Sequence, residues 1–264
     1  MTRDERQAAL DEIANEVRAC TRCRLAEGRT RAVPGEGDPD TEVVFVGEGP
    51  GFNEDREGRP FVGRAGGMLV RLLASVGWQR DDVFITNVVK CRPPENRDPQ
   101  PDEIAACAPY LARQLEVLDP AVVVTLGRYS MATFMPGARI GQVHGTAAVA
   151  DPETGARNAL AFAMYHPAAA LRSPSVEKDS FEDMLRVPAV LLRSRERREG
   201  LETPGRSAAP APGAATAPAP DEVTASTLDP APVPEPALPA TPQGAHTLAA
   251  ADPAADDAPQ LTLF

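Results

Sequence analysis

Four short motifs, in one order, carry the residues of this chain that could do chemistry. They are Gly47-Glu48-Gly49-Pro50-Gly51, Gly58-Arg59-Pro60-Phe61-Val62-Gly63, Thr86-Asn87-Val88-Val89-Lys90-Cys91-Arg92-Pro93-Pro94 and His166-Pro167. Together they supply small residues, an aromatic, an asparagine and a histidine. That set suits a flat polar ring better than a phosphate. The aromatic Phe61 stacks on the ring, and Asn87 reads its edge with one donor and one acceptor. His166 handles developing charge. Residues 47–51 do not read as a nucleotide-phosphate loop, because no Lys-Ser/Thr pair follows the glycines.

The elements that must position these residues are legible as apolar runs. A helix is expected over residues 4–19, with Leu10, Ile13 and Val17 on one face. Buried strands are expected over 42–46, 82–89, 121–126 and 159–165. Helices are expected over 66–76, 101–118, a short stretch from Arg128, and 177–198. Pro101, Asp102 and Glu103 suit the first turn of the second of these, 101–118. Alternating apolar strands and helices imply a three-layer α/β/α fold around a central four-stranded, mainly parallel sheet. In such sheets ligands bind beyond the carboxyl ends of the strands. The first and third motifs sit where apolar runs end, and His166 follows another.

Composition divides the chain. Residues 1–200 read as one globular domain with enough length for a full core. Residues 201–264 are rich in alanine and proline and nearly free of aromatics, so they are expected to stay disordered. The tail carries eight acids against one arginine, seven of the eleven net negative charges, which leaves about four on the first 200 residues. A mildly acidic domain binds nucleic acid only where its basic residues cluster, and it lacks a strong non-specific grip. Arg59, Arg64, Lys90, Arg92, Arg97 and Arg172 fall in or near the motif loops. No stretch is long and apolar enough to span a membrane. The first residues lack the apolar core of a signal peptide. A cytoplasmic protein and a monomer are expected. Four cysteines in a reducing compartment read as ligands or inert thiols rather than disulfides. Cys20 and Cys23 form a C-x-x-C pair, whereas Cys91 and Cys107 are fifteen residues apart. A zinc ribbon would have two short knuckles.

The order and wording of the motifs resemble the family 4, iron–sulfur uracil-DNA glycosylases, over roughly residues 20–193. The resemblance implies the superfamily's α/β fold and an enzyme that flips uracil out of DNA. It would hydrolyse the N-glycosidic bond and leave an abasic site in base excision repair. It implies a uracil pocket of Glu48, Gly49, Glu54, Phe61, Asn87 and His166. Glu54 would shut out the C5 methyl group of thymine. His166, helped by backbone N–H groups at Glu48 and Gly49, would stabilise the departing uracil anion. Glu48 and Asn96 compete for the role of activating water. Arg64, Arg92, Arg97 and Arg172 would contact DNA. The cysteine spacing resembles the family's [4Fe–4S] site, with Cys20, Cys23, Cys91 and Cys107 as ligands; zinc is the rival. The only lysines are Lys90 and Lys178, and Lys90 lies beside an expected ligand. A monofunctional enzyme without a Schiff-base step is therefore expected. A relative with a shifted preference, such as hypoxanthine, and a non-catalytic, clamp-tethered DNA-binding scaffold are the alternatives.

The terminal residues Gln260-Leu261-Thr262-Leu263-Phe264 resemble the short bacterial sliding-clamp-binding motif. An extended peptide with Leu261, Leu263 and Phe264 suits an apolar groove, on a tether reaching roughly 40 Å or more.

Overall fold

Every residue of Val43–Gly47, Val122–Leu126 and Leu160–Met164 is buried. Unbroken apolar runs of this length form strands covered on both faces. The computed structural model describes residues 1–202. The tail, with its clamp-like peptide, lies outside the described residues. In chain order the strands are β1 (Glu36–Gly37), β2 (Val43–Gly47), β3 (Phe84–Asn87), β4 (Val122–Leu126), β5 (Ala147–Val149) and β6 (Leu160–Met164). They form one sheet in the order β1-β3-β2-β4-β6-β5. The inner four are parallel, and β1 and β5 are antiparallel edges.

The helices are α1 (Arg3–Ala19), α2 (Leu25–Gly28), α3 (Phe52–Glu57), α4 (Arg64–Ser75), α5 (Pro101–Leu118), α6 (Arg128–Phe134), α7 (Ile140–Val143), α8 (Pro167–Ala170), α9 (Pro174–Met184) and α10 (Val187–Glu202). Side chains alternate across a strand, so β2 feeds two cores. Val44 and Val46 join Leu10, Ile13 and Val17 of α1 and Leu111 and Leu115 of α5. Val43 and Phe45 join Leu69 and Leu72 of α4, Met184 of α9 and Val187 of α10. The result is the three-layer fold expected from the sequence.

Three expectations need correction. The sheet has six strands rather than four. Glu36–Gly37 and Ala147–Val149 are two and three residues long, too short to carry a period-two pattern. The second strand is Phe84–Asn87 rather than 82–89. Asp82 belongs to a 3₁₀ turn, Arg80–Asp82. Val88 and Val89 leave the ladder, and their N–H groups bond the carbonyls of Gly47 and Glu48 at 2.9 and 3.1 Å. The last expected helix is two, α9 and α10, broken at Leu185 and Arg186. The break lets Met184 and Val187 enter the same core. Pro188 sits in the first turn of α10, where its missing N–H costs nothing.

β2 ends at Gly47, β3 at Asn87 and β4 at Leu126; β6 ends two residues before His166. Four parallel strands thus deliver their carboxyl ends to one edge of the sheet.

Candidate active site

Those strand ends line a cleft of about 510 Å³. Its wall includes Glu48, Gly49, Glu54, Phe61, Asn87, Asn96 and His166, so the structure brings together every residue of the expected pocket.

Asn87 closes β3 and faces Gly47 across the parallel register. It is 2 % exposed. Its Oδ1 is buried without a hydrogen-bond partner. An acceptor left bare in this way costs about 1–3 kcal/mol, which a ligand N–H would restore. Gly47 is what makes room for it. A side-chain carbon at position 47 would fall 2.3 Å from Asn87 Oδ1 and 2.7 Å from the Phe61 ring. Behind Asn87 lies Lys90, 1 % exposed. Its Nζ donates to Thr86 Oγ1 (2.6 Å), the Asn87 carbonyl (2.9 Å) and Gln114 Oε1 (2.7 Å). Burial pushes the Lys90 pKa down to about 7. This lysine holds the strand end and does not line the cleft.

Phe61 adopts φ +50°, in the left-handed region, at a cost of about 1–2 kcal/mol for a residue with a side chain. The turn is held from outside. Arg80 donates from Nη1 to the Phe61 carbonyl at 3.0 Å and from Nη2 to the Pro60 carbonyl. Its Nε donates to Glu36 Oε1 at 2.9 Å. Glu36, on the edge strand β1, also takes both arms of Arg59. On the inner side, Gly66 leaves space that a side chain would fill 1.8 Å from the Phe61 carbonyl oxygen. The Phe61 and His166 rings stack with centroids 5.7 Å apart and 29° between planes.

His166 caps α8. Its Nδ1 accepts the N–H of Ala168 at 3.1 Å, which puts the ring proton on Nε2. Burial, with help from Arg172, pushes its pKa down to about 4. The ring is therefore a neutral donor at ordinary pH, presented to the cleft.

Glu54 is fully engaged. Its Oε1 accepts the N–H groups of Val62 and Gly63, both at 2.9 Å, and its Oε2 accepts that of Gly51 at 3.2 Å. The carboxylate staples the first motif loop to the second while lining the cleft. Glu48 differs: no hydrogen bond claims its side chain among the described residues, and burial, then Asp98, raises its pKa. Asn96 follows Glu95, and both have positive φ, +56° and +55°. Its Oδ1 accepts Arg92 Nε at 2.7 Å.

The arginines divide. Arg172 lines the cleft and its Nε bonds the Ala168 carbonyl at 3.1 Å. Arg97 lines the cleft too, but both its Nη groups are held by the buried Glu103, at 2.9 and 2.6 Å. Arg64 opens α4, is exposed and does not line the cleft. Arg59 is taken by Glu36. Arg128, paired with Asp98, lines the cleft and escaped the sequence reading. So did Gly127. Both follow β4, and the strand-end rule that located the other loops applies to them as well. Arg80 and Glu36 are 44 positions apart, and no local pattern links them.

All four cysteines line a second, small cavity between α1, α5 and the loop after β3. The Lys90 N–H points at Cys107 Sγ (3.2 Å) and the Arg29 guanidinium at Cys91 Sγ (3.1 Å). Burial pushes the Cys107 thiol up to about 11 and raises Cys91 as well. Four sulfurs around one cavity, with N–H donors aimed at three of them, the Arg22 N–H at Cys20 Sγ (3.5 Å) being the third, suit thiolates bound to a cationic group. Among the described residues no three of His, Cys, Asp and Glu are arranged to hold a single metal ion. No helix among them is long and apolar enough to cross a membrane.

Comparison with known proteins identifies the family. The family model described as the uracil DNA glycosylase superfamily matches residues 34–187. The type-4 uracil-DNA glycosylase of Saccharolobus solfataricus is 49% identical over 188 residues, covering 69% of this chain and 86% of the relative. That of Sulfurisphaera tokodaii is 48% identical over 185 residues, 68% of this chain and 83% of the relative. A type-5 uracil-DNA glycosylase of Thermus thermophilus is similar over a shorter stretch, 38% identical over 116 residues, 38% of this chain and 52% of the relative.

Proposed function

This chain belongs to the type-4 uracil-DNA glycosylases, and we propose that it excises uracil from DNA as a monofunctional enzyme of base excision repair. The observation that carries this reading is the bare, buried Oδ1 of Asn87 at the end of a cleft floored by Phe61. A uracil turned out of the stack costs a few kcal/mol, offset by the pocket it enters. Phe61 takes one face of the ring. Asn87 Oδ1 accepts the N3–H, and its Nδ2 donates to O4. Cytosine offers the opposite pair, a bare N3 and an amine at C4, so both contacts would become repulsive. Glu54, fixed by three backbone N–H groups, bars the methyl group of thymine.

Chemistry then requires two things of these residues. As the bond between C1′ and N1 breaks, its electrons move onto the uracil ring. His166 Nε2–H and the Gly49 N–H donate to O2, where that charge collects. Water attacks C1′, and Glu48 takes its proton. Glu48 is favoured over Asn96 because its carboxylate is unclaimed, whereas the Asn96 acceptor already serves Arg92. C1′ gains the hydroxyl left from that water, and the strand stays intact. Neither lysine lines the cleft, so no amine there can form a Schiff base. Arg172, Arg92 and Arg128 would contact phosphates flanking the uracil, and Arg64, exposed at the start of α4, and Arg97, partly exposed, would contact the strand beyond them.

The cysteine set fits a [4Fe–4S] cluster held by Cys20, Cys23, Cys91 and Cys107. It would supply a structural tie between the end of α1, the loop that follows Asn87, and α5. A cytoplasmic location agrees with free cysteines arranged as ligands.

Protein purified without oxygen should be brown and should release uracil from an oligonucleotide carrying one uracil. Alkali should then cut at that position only, a thymine control should stay whole, and borohydride should trap no adduct. A brown sample that leaves the uracil strand intact would sink the glycosylase reading.

The terminal peptide, through Gln260, Leu261, Leu263 and Phe264, is proposed to dock on a replication sliding clamp. Deleting residues 260–264 should abolish clamp binding in a pull-down while short-oligonucleotide excision is retained. Clamp binding by the truncated chain would refute this assignment.

A further inference from the structure

Phe52 belongs to neither core and does not line the pocket. Phe52 opens α3 directly after Gly51, which lines the cleft, and it is 53 % exposed. It is the one exposed phenylalanine among the described residues. Covering the exposed half of the ring would gain about 1 kcal/mol, which a stacking partner would realise. Two guanidiniums flank it. Arg56, one helical turn on, lies 5.6 Å from the ring centroid, and Arg92 lies 5.2 Å from it. Unlike Arg59, Arg80, Arg97 and Arg128, neither is neutralised by an acid among the described residues. Arg92 also bonds Asn96 on the cleft wall, so one side chain reaches from the Phe52 ring to the pocket.

We propose that Phe52, with Arg56 and Arg92, is a stacking site for an unpaired nucleobase that flanks the uracil in single-stranded or locally opened DNA. This rests on the glycosylase reading only for the identity of the neighbouring base. The chemistry is general. An aromatic face accepts any base, and unpaired arginines beside it hold the phosphates on either side. In an intact duplex the flanking bases remain stacked on each other and leave Phe52 unused. The site therefore biases the enzyme toward single strands, strand ends and melted regions.

The test uses the full chain and a fluorescent oligonucleotide with a non-cleavable 2′-fluoro uridine and 2-aminopurine at the next position on either side. Wild-type protein should quench 2-aminopurine on one side of the uridine. Phe52→Ala should lose that quenching and weaken single-strand binding about 5- to 150-fold, the span of one stacked base. Binding to the same site in a duplex should weaken far less. Phe52→Trp should restore quenching and affinity, an outcome that a general loss of folding could not give. Single-strand affinity within twofold of wild type in Phe52→Ala, with quenching retained, overturns the proposal. So does an equal loss on single strand and duplex. Failure of the glycosylase reading looks different: wild type would leave a cleavable uracil strand intact while Phe52-dependent quenching persists.

Discussion

Asn87→Ala should lower single-turnover excision of uracil by about 10³-fold. Two contacts disappear at once, those to N3–H and O4. Each polar group left unpaired in a dry pocket costs about 1–3 kcal/mol, and sites built on such pairs discriminate strongly. The variant should keep its fold and colour. The Oδ1 it removes has no partner within the protein, so nothing structural is lost with that atom. The measurement is the rate at saturating enzyme on one uracil oligonucleotide, beside a melting curve. A variant within tenfold of wild type, at equal melting temperature, would remove Asn87 from base recognition.

His166→Ala should slow the chemical step by about 10²- to 10³-fold, the usual loss when one donor to a developing oxyanion is removed. Its pH behaviour separates it from Glu48. Protonation of His166 falls near pH 4, so the ring is neutral, with Nε2–H as donor, throughout the working range. Glu48 must be ionised to take a proton from water, and burial raises its pKa above the usual carboxylate value. Activity should therefore climb as pH rises through that raised pKa and then level. The acid limb should persist, at a lower rate, in His166→Ala and vanish in Glu48→Gln along with most of the rate. A single-turnover profile whose acid limb disappears with His166 and stays with Glu48 would reverse the two roles.

Most of the residues proposed for the chemistry are legible because they sit in a motif at the end of an apolar run. Gly47, Asn87 and His166 needed only the strands to be recognised. What holds them was not legible. Phe61 is an ordinary aromatic in the sequence, and its left-handed turn appears only with Arg80 and Glu36 around it. Glu36 itself lies on a two-residue strand that no periodicity reveals. Glu54 could be placed beside the pocket, but its three backbone donors come from two loops that meet only in the fold. The rim arginines looked alike as letters. The acids that claim Arg59, Arg97 and Arg128, and leave Arg92 without one, are features of tertiary structure.

The Glu54 staple has a kinetic consequence. Three charge-assisted hydrogen bonds fasten the Gly51 loop to the Val62–Gly63 loop with the protein alone, before any nucleic acid arrives. The binding free energy of the base is then not spent on ordering those loops. What varies from one encounter to the next is how readily a nucleotide leaves its own helix. The waiting time before the base enters the pocket thus belongs to the DNA, and the pH-dependent bond cleavage follows it. A uracil in a mismatch, a fray or a gap starts part of the way out, and the enzyme sorts its targets by the dynamics of the strand as well as by the identity of the base.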